Sequence, residues 1–145
     1  MFNLTATLCI GGCAFIMLVF AFVYLTRSKF LPYHSIALGQ DWSDLNPSLQ
    51  TLIIGFMRAV GGCLLAGALT ILFLQYQFNK TPQQWLASII LVCGGILSLS
   101  SFYAMFLVKT KTKGKPPIIV TIVAFVLLVV GYFLNVGNLS TPSVF

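Results

Sequence analysis

The sequence predicts an all-α fold: an integral membrane four-helix transmembrane bundle with an interfacial segment in the first cytoplasmic loop. Two observations carry this. Four apolar runs, at 4–25, 52–76, 85–108 and 116–136, are each long enough to cross the roughly 30 Å hydrocarbon core as a helix. Arg58 is the only formal charge inside them. Lipid offers the backbone no water, so each run must close its own hydrogen bonds, which selects helix over irregular chain. The second observation is where the other charges lie. Arg27, Lys29, Lys109, Lys111, Lys113 and Lys115 follow the first and third runs, on one side of a four-span protein, whereas the opposite side holds only Lys80. The positive-inside rule then makes loops 26–50 and 109–115 cytoplasmic and both termini non-cytoplasmic.

Charged residues are only 7% of the chain and hydrophobic ones 59%, so residues 1–145 read as a single transmembrane domain. A net charge of +6 suggests nucleic acid, but its placement beside membrane spans suits anionic lipid headgroups at the cytoplasmic face instead. No nucleic-acid partner is expected.

The first run lacks a basic start and is too long for a cleaved leader, so it is predicted to stay as a span. The connection that follows, 26–50, is long for a bundle link. After Pro32, the residues Tyr33, Ile36 and Ala37 share a helical face, and Gly39 ends the run. An interfacial half-helix in the headgroup region fits this pattern, sealing the cytoplasmic end of the bundle. His34 and Ser35 are expected to point away from that face. The chain's two acidic residues, Asp41 and Asp44, come next.

Asn46-Pro47 marks the start of the second spanning helix, as N-cap and first helical position. Thr81-Pro82-Gln83-Gln84 has the form of a capping box opening the third, with Trp85 at the interface. Pro116-Pro117 opens the fourth. Short connections between the last three spans predict antiparallel neighbours.

Small residues recur at Gly55, Ala59, Cys63 and Gly67 of the second span, and the third carries Gly94, Ser98 and Ser101. Such stripes let helices approach closely, so these positions, with Gly62, are the expected packing surface and these two spans the expected bundle core. Cys9, Cys13, Cys63 and Cys93 all lie within spans, where a thiol acts as a small apolar group.

Arg58 borders that stripe, with Gly55, Gly61 and Gly62 at helical-neighbour spacing. An arginine inside a span is costly and by default points to function. The expectation is a ligand-binding group: Arg58 in a glycine-lined recess facing an anion, with His34, Asp41 and Asp44 of the first loop as further ligand-binding candidates. No nucleophile, base and oxyanion donors occur in recognisable order, and no phosphate loop or metal-ligand spacing is present. Neither catalytic residues, a metal nor a cofactor is therefore expected.

The segment Met57-Arg58-Ala59-Val60-Gly61-Gly62, followed by Leu64, Leu65 and Gly67, resembles the second helix of DoxX-like small four-helix membrane proteins, which implies the same fold. Size, outward termini and the long first loop are similar to the MAPEG family of trimeric glutathione-dependent membrane enzymes. That family's arginine is followed by Asn and Glu at the fourth and seventh positions, where this chain has Gly62 and Leu65. The expected role is a non-catalytic accessory subunit or lipid-binding scaffold, as a homo-oligomer or within a membrane complex. The alternatives are a carrier or binding protein for a small anionic or lipidic molecule held by Arg58, or a glutathione- or thiol-dependent membrane enzyme.

Overall fold

The computed structural model describes residues 3–140. Four helices are long and apolar enough to cross a membrane: α1 (Leu4–Thr26), α3 (Pro47–Lys80), α4 (Gln84–Lys111) and α5 (Ile118–Ser140). A seven-residue helix, α2 (Pro32–Leu38), and a 3-10 turn, Trp42–Asp44, fill the connection between the first two spans. The spans form an antiparallel ring in which α1 touches α3 and α5, and α4 closes the other side against the same two helices. One end of the ring carries α2 and seven of the eight basic residues; the opposite end carries the α3–α4 turn.

Several helix ends follow local chemistry. The Asn46 side chain accepts a hydrogen bond from the Ser48 amide at 2.9 Å, capping α3 ahead of Pro47. Gly39 takes φ +68° and closes α2, a backbone state that side-chain-bearing residues resist. Pro116 and Pro117 precede α5, and their carbonyls accept from Ile118 and Val120 at 2.9 and 3.1 Å. Thr81 departs from expectation. It caps the C-terminus of α3, its amide and hydroxyl both donating to Gln77 O, whereas α4 begins at Gln84 without a side-chain cap. Pro82 separates the two helices, so the apparent capping box spans a turn rather than a helix start.

The core is not centred on the second and third spans. Its main cluster draws Ile10, Cys13, Ala14, Met17 and Ala21 from α1, Leu64, Ala68 and Ile71 from α3, and Ala124 and Leu128 from α5, against one α4 residue, Ile90. The inward face of α3 runs Met57, Gly61, Leu64, Ala68, Ile71, Gln75, Phe78. Gly55, Ala59, Gly62 and Cys63 lie on the exposed side of that helix, and a Cβ at Gly55 or Gly62 would meet nothing within 4 Å. Gly67 is half-buried against Leu97, Gly94 and Ser98 are buried, and Ser101 is half-buried.

At the turn end, a polar network crosses the bundle. Asn135 donates to Gln75 Oε1 at 2.9 Å, and Gln75 Nε2 donates to Asn79 at 3.0 Å and lies 3.4 Å from the Thr7 hydroxyl. Thr7 bonds Asn3 O at 3.0 Å, and Asn3 caps α1 through the Ala6 amide while reaching Leu134 O on α5. Gln75 and Asn135 are 3% and 1% exposed, so each is the other's replacement for water. Gln75→Leu should therefore destabilise by about 1–3 kcal/mol by orphaning the Asn135 amide, and Gln75→Leu/Asn135→Leu should recover part of that loss. Denaturation of the detergent-solubilised single and double variants measures both.

Candidate functional site

The basic end is organised around the end of α1. A Cβ on Gly61 would come within 2.8 Å of Leu25 and 3.2 Å of Ala21 O, so only glycine lets α3 lie this close to α1. One turn away, Arg58 donates to Tyr24 O at 3.1 Å and to Arg27 O at 3.0 Å. These carbonyls belong to the C-terminal end of α1, where acceptors lack intrahelical partners and the helix dipole is negative. Arg58 is thus a cap supplied by a neighbouring helix. The three glycines do not form one recess around it, because Gly61 is filled by α1 while Gly55 and Gly62 face outward.

The aspartates are held elsewhere. Asp41 accepts from the Ser35 hydroxyl at 3.0 Å and Asp44 from the Ser43 hydroxyl at 3.2 Å; neither is among the partners of Arg58. Cys13 is buried and Cys63 exposed, so the three thiols at Cys13, Cys63 and Cys93 do not converge. Among the described residues no three His, Cys, Asp or Glu side chains come together as a metal site.

Having passed Arg27, the chain folds back over the bundle. Phe30, Leu45 and Met57 form a small buried cluster with Trp42, whose ring meets Phe30 edge-on at 5.0 Å. Gln50 fastens this fold by donating to Trp42 O and Leu45 O. The cluster sets α2 across the ring. Tyr33, His34 and Ala37 face inward or sideways and are half-buried, whereas Ile36 and Leu38 are each 52% exposed. The expected faces are therefore rearranged: His34 turns in and Ile36 turns out. Gly114, in the connection between α4 and α5, supports α2 from the other side; a Cβ there would stand 2.9 Å from Tyr33 O and 3.0 Å from Ala37.

Beneath α2 lies a cavity of about 200 Å³. Its walls come from all four spans and α2: Met17 and Phe20 of α1, Leu64 of α3, Leu97, Ser98, Ser101 and Met105 of α4, Thr121 and Ala124 of α5. Tyr24, Tyr33 and His34 form its polar end. Val60 and Ala104 also line it and are exposed on the bundle surface, so it opens sideways between α3 and α4. The opening exists because α3 and α4 touch at Gly67 and Leu97 and part beyond that contact.

No protein-family model, curated protein or solved structure matches this chain. The site must be read from its own chemistry.

The Tyr24 and Tyr33 hydroxyls lie 3.0 Å apart. Burial, reinforced by the bond to Tyr24, pushes the Tyr33 phenol well above its ordinary range, so it stays protonated. His34 Nδ1 accepts from the Leu31 amide at 3.3 Å, which places the neutral ring's proton on Nε2. Burial also lowers the His34 pKa from its ordinary 6.5.

No pattern along one helix reveals this cavity, since its lining is gathered from five elements. The amide network had a faint signal in the polar Gln75 and Asn79 at i, i+4 spacing near the end of an apolar run.

Two outcomes follow. Arg58→Ala should cost about 1–3 kcal/mol, because the α1 carbonyls lose charge-assisted bonds, and should speed amide exchange around 27–31. Arg58→Lys should restore only part, a single ammonium being a poor substitute for a fork that reaches two carbonyls. Hydrogen exchange of the purified variants checks both. For pH, a histidine with a lowered folded-state pKa contributes stability that is present above about 6.5 and lost as pH falls through the lowered value. Acidification should therefore loosen α2 first, seen as faster exchange at 31–38, and His34→Gln should remove that pH dependence.

Proposed function

We propose that this integral membrane protein is a lipid-binding scaffold that takes part of a lipidic molecule into the cavity beneath α2. One observation carries the reading: an apolar cavity, walled by every span, that has a polar end at Tyr24, Tyr33 and His34 and opens sideways between α3 and α4. Binding sites of this type combine a mostly apolar wall with a few placed polar groups that fix orientation. A sideways opening admits a molecule already dissolved in the bilayer without passing it through water. A cavity of about 150 Å³ lined by apolar residues suffices to hold a benzene ring, so the volume here suits a headgroup fragment or a short length of chain.

The basic loops support the same placement. With loops 26–50 and 109–115 on the cytoplasmic side, the polar end of the cavity lies at the level of the cytoplasmic headgroups. Arg58, which the carrier and glutathione-enzyme alternatives both need for an anion, has donors engaged by Tyr24 O and Arg27 O. This favours the cavity over Arg58 as the binding element.

Ser101→Phe, which projects a ring into the cavity, should reduce lipid retained through purification several-fold while the protein still inserts. Native mass spectrometry in detergent reads this directly. Unchanged lipid with co-purifying protein partners would favour the accessory-subunit role instead.

A further inference from the structure

The lining names no charge. Among the described residues, every side chain around the cavity is apolar, aromatic, hydroxyl-bearing or the imidazole of His34. Arg58 is bonded to the carbonyl of Tyr24, itself a lining residue. An ionised phosphate or carboxylate entering this cavity would leave water without gaining a counter-ion, a transfer that buried charges do not tolerate.

The polar end instead supplies hydrogen-bond donors. Two phenols sharing one bond own two protons and use one, so the Tyr24–Tyr33 pair retains a proton to donate. The His34 ring, accepting from Leu31 at Nδ1, keeps a second on Nε2. A neutral oxygen with two lone pairs, carbonyl or hydroxyl, accepts both, and the phenol oxygens keep lone pairs for a hydroxyl's own proton. The Thr121 hydroxyl is already donating to Ile118 O at 2.7 Å, deeper in the wall.

A second apolar recess, of about 240 Å³, lies against the other side of Ser98 and Thr121, lined by Leu99, Phe102, Ile122 and Phe125 between α4 and α5. The surfaces next to the cavity are therefore suited to hydrocarbon.

We infer that the cavity selects an uncharged lipid whose polar end is a neutral acceptor oxygen, received by the Tyr24–Tyr33 hydroxyl pair and the His34 imidazole. This rests on the lipid-binding reading above and narrows its ligand to one chemistry. Two sources carry that chemistry, a carbonyl and an alcohol, and a diacylglycerol has both.

Isothermal titration of the protein in phosphatidylcholine nanodiscs tests it with four probes: dioctanoylglycerol, 2-undecanone, 2-undecanol and decanoate. At least one neutral probe should bind, 2-undecanone against 2-undecanol identifying the source, and decanoate should bind at least about ten-fold more weakly. Tyr24→Phe/Tyr33→Phe, which removes both phenol protons, should weaken the bound neutral probe about five-fold, the worth of one neutral hydrogen bond. Ser101→Phe should abolish its binding. If decanoate binds as tightly as the neutral probes, or Tyr24→Phe/Tyr33→Phe leaves affinity unchanged while Ser101→Phe abolishes it, the acceptor-oxygen inference falls and the lipid site stands. If no probe binds, and Ser101→Phe leaves co-purified lipid unchanged, both fall.

Discussion

A helix that ends in or near lipid must find partners for its last carbonyls, and in this chain that requirement organises the whole basic end. The solution comes from α3. Gly61 lets α3 lie against Leu25 and Tyr24, and Arg58, one turn earlier, then spans the end of α1 through Tyr24 O and Arg27 O. With that end fixed, the chain turns at Arg27, Phe30 drops into its cluster with Leu45 and Met57, and α2 is laid across the ring. The same turn of α1 that receives Arg58 through its backbone offers the Tyr24 hydroxyl to Tyr33. Cap, lid and cavity mouth thus share one residue. An arginine in a span is costly when solvated by nothing, but here two backbone dipoles receive it, so its presence is explained without an external anion.

The two ends of the bundle use polar groups in opposite ways. At the turn end, Gln75, Asn79, Asn135, Thr7 and Asn3 satisfy one another, and interhelical hydrogen bonds of this kind add to van der Waals packing where lipid supplies no hydrophobic drive. They tie α1, α3 and α5 with no polar capacity directed at a ligand. At the basic end, the polar groups on the cavity wall retain donors, and the helices part rather than close. One end is closed by its own hydrogen bonds, and the other encloses a cavity. Gly67 against Leu97 marks the boundary between them along α3 and α4.

Length and charge patterns made the spans, the antiparallel pairing of the last three, the Asn46 cap, the Gly39 stop and the proline entry to α5 legible in the sequence. What failed was the choice of face. In a soluble bundle, polarity separates the outside of a helix from the inside; in lipid both sides are apolar, so Gly55, Ala59 and Cys63 form as good a stripe as Met57, Gly61 and Leu64. The reading of α2 failed for a related reason. Ile36 is apolar and Tyr33 amphipathic, but an outward position at the headgroup level is no penalty for Ile36, whereas an inward one satisfies Tyr33 through Tyr24. Thr81 misled because a capping box and a helix stop share residue types, and only Pro82 between the two helices decides which applies. The cavity could not be read at all, being a property of how far four helices separate.

The polarity of the cavity also fixes how a bilayer molecule would enter it. Tyr24, Tyr33 and His34 lie at the end that carries Arg27, Lys29 and the 109–115 connection, while Ile16, Met17 and Leu97 lie toward the middle of the bundle. The gradient along the cavity, polar at the basic end and apolar inward, therefore runs the same way as in the lipid leaflet beside it. Under the lipid-binding proposal, a lipid at that leaflet would keep its orientation on passing between Val60 and Ala104, exchanging hydrated headgroup contacts for the Tyr and His donors and neighbouring chains for protein walls. Such an exchange needs no inversion of the molecule and no water-filled path.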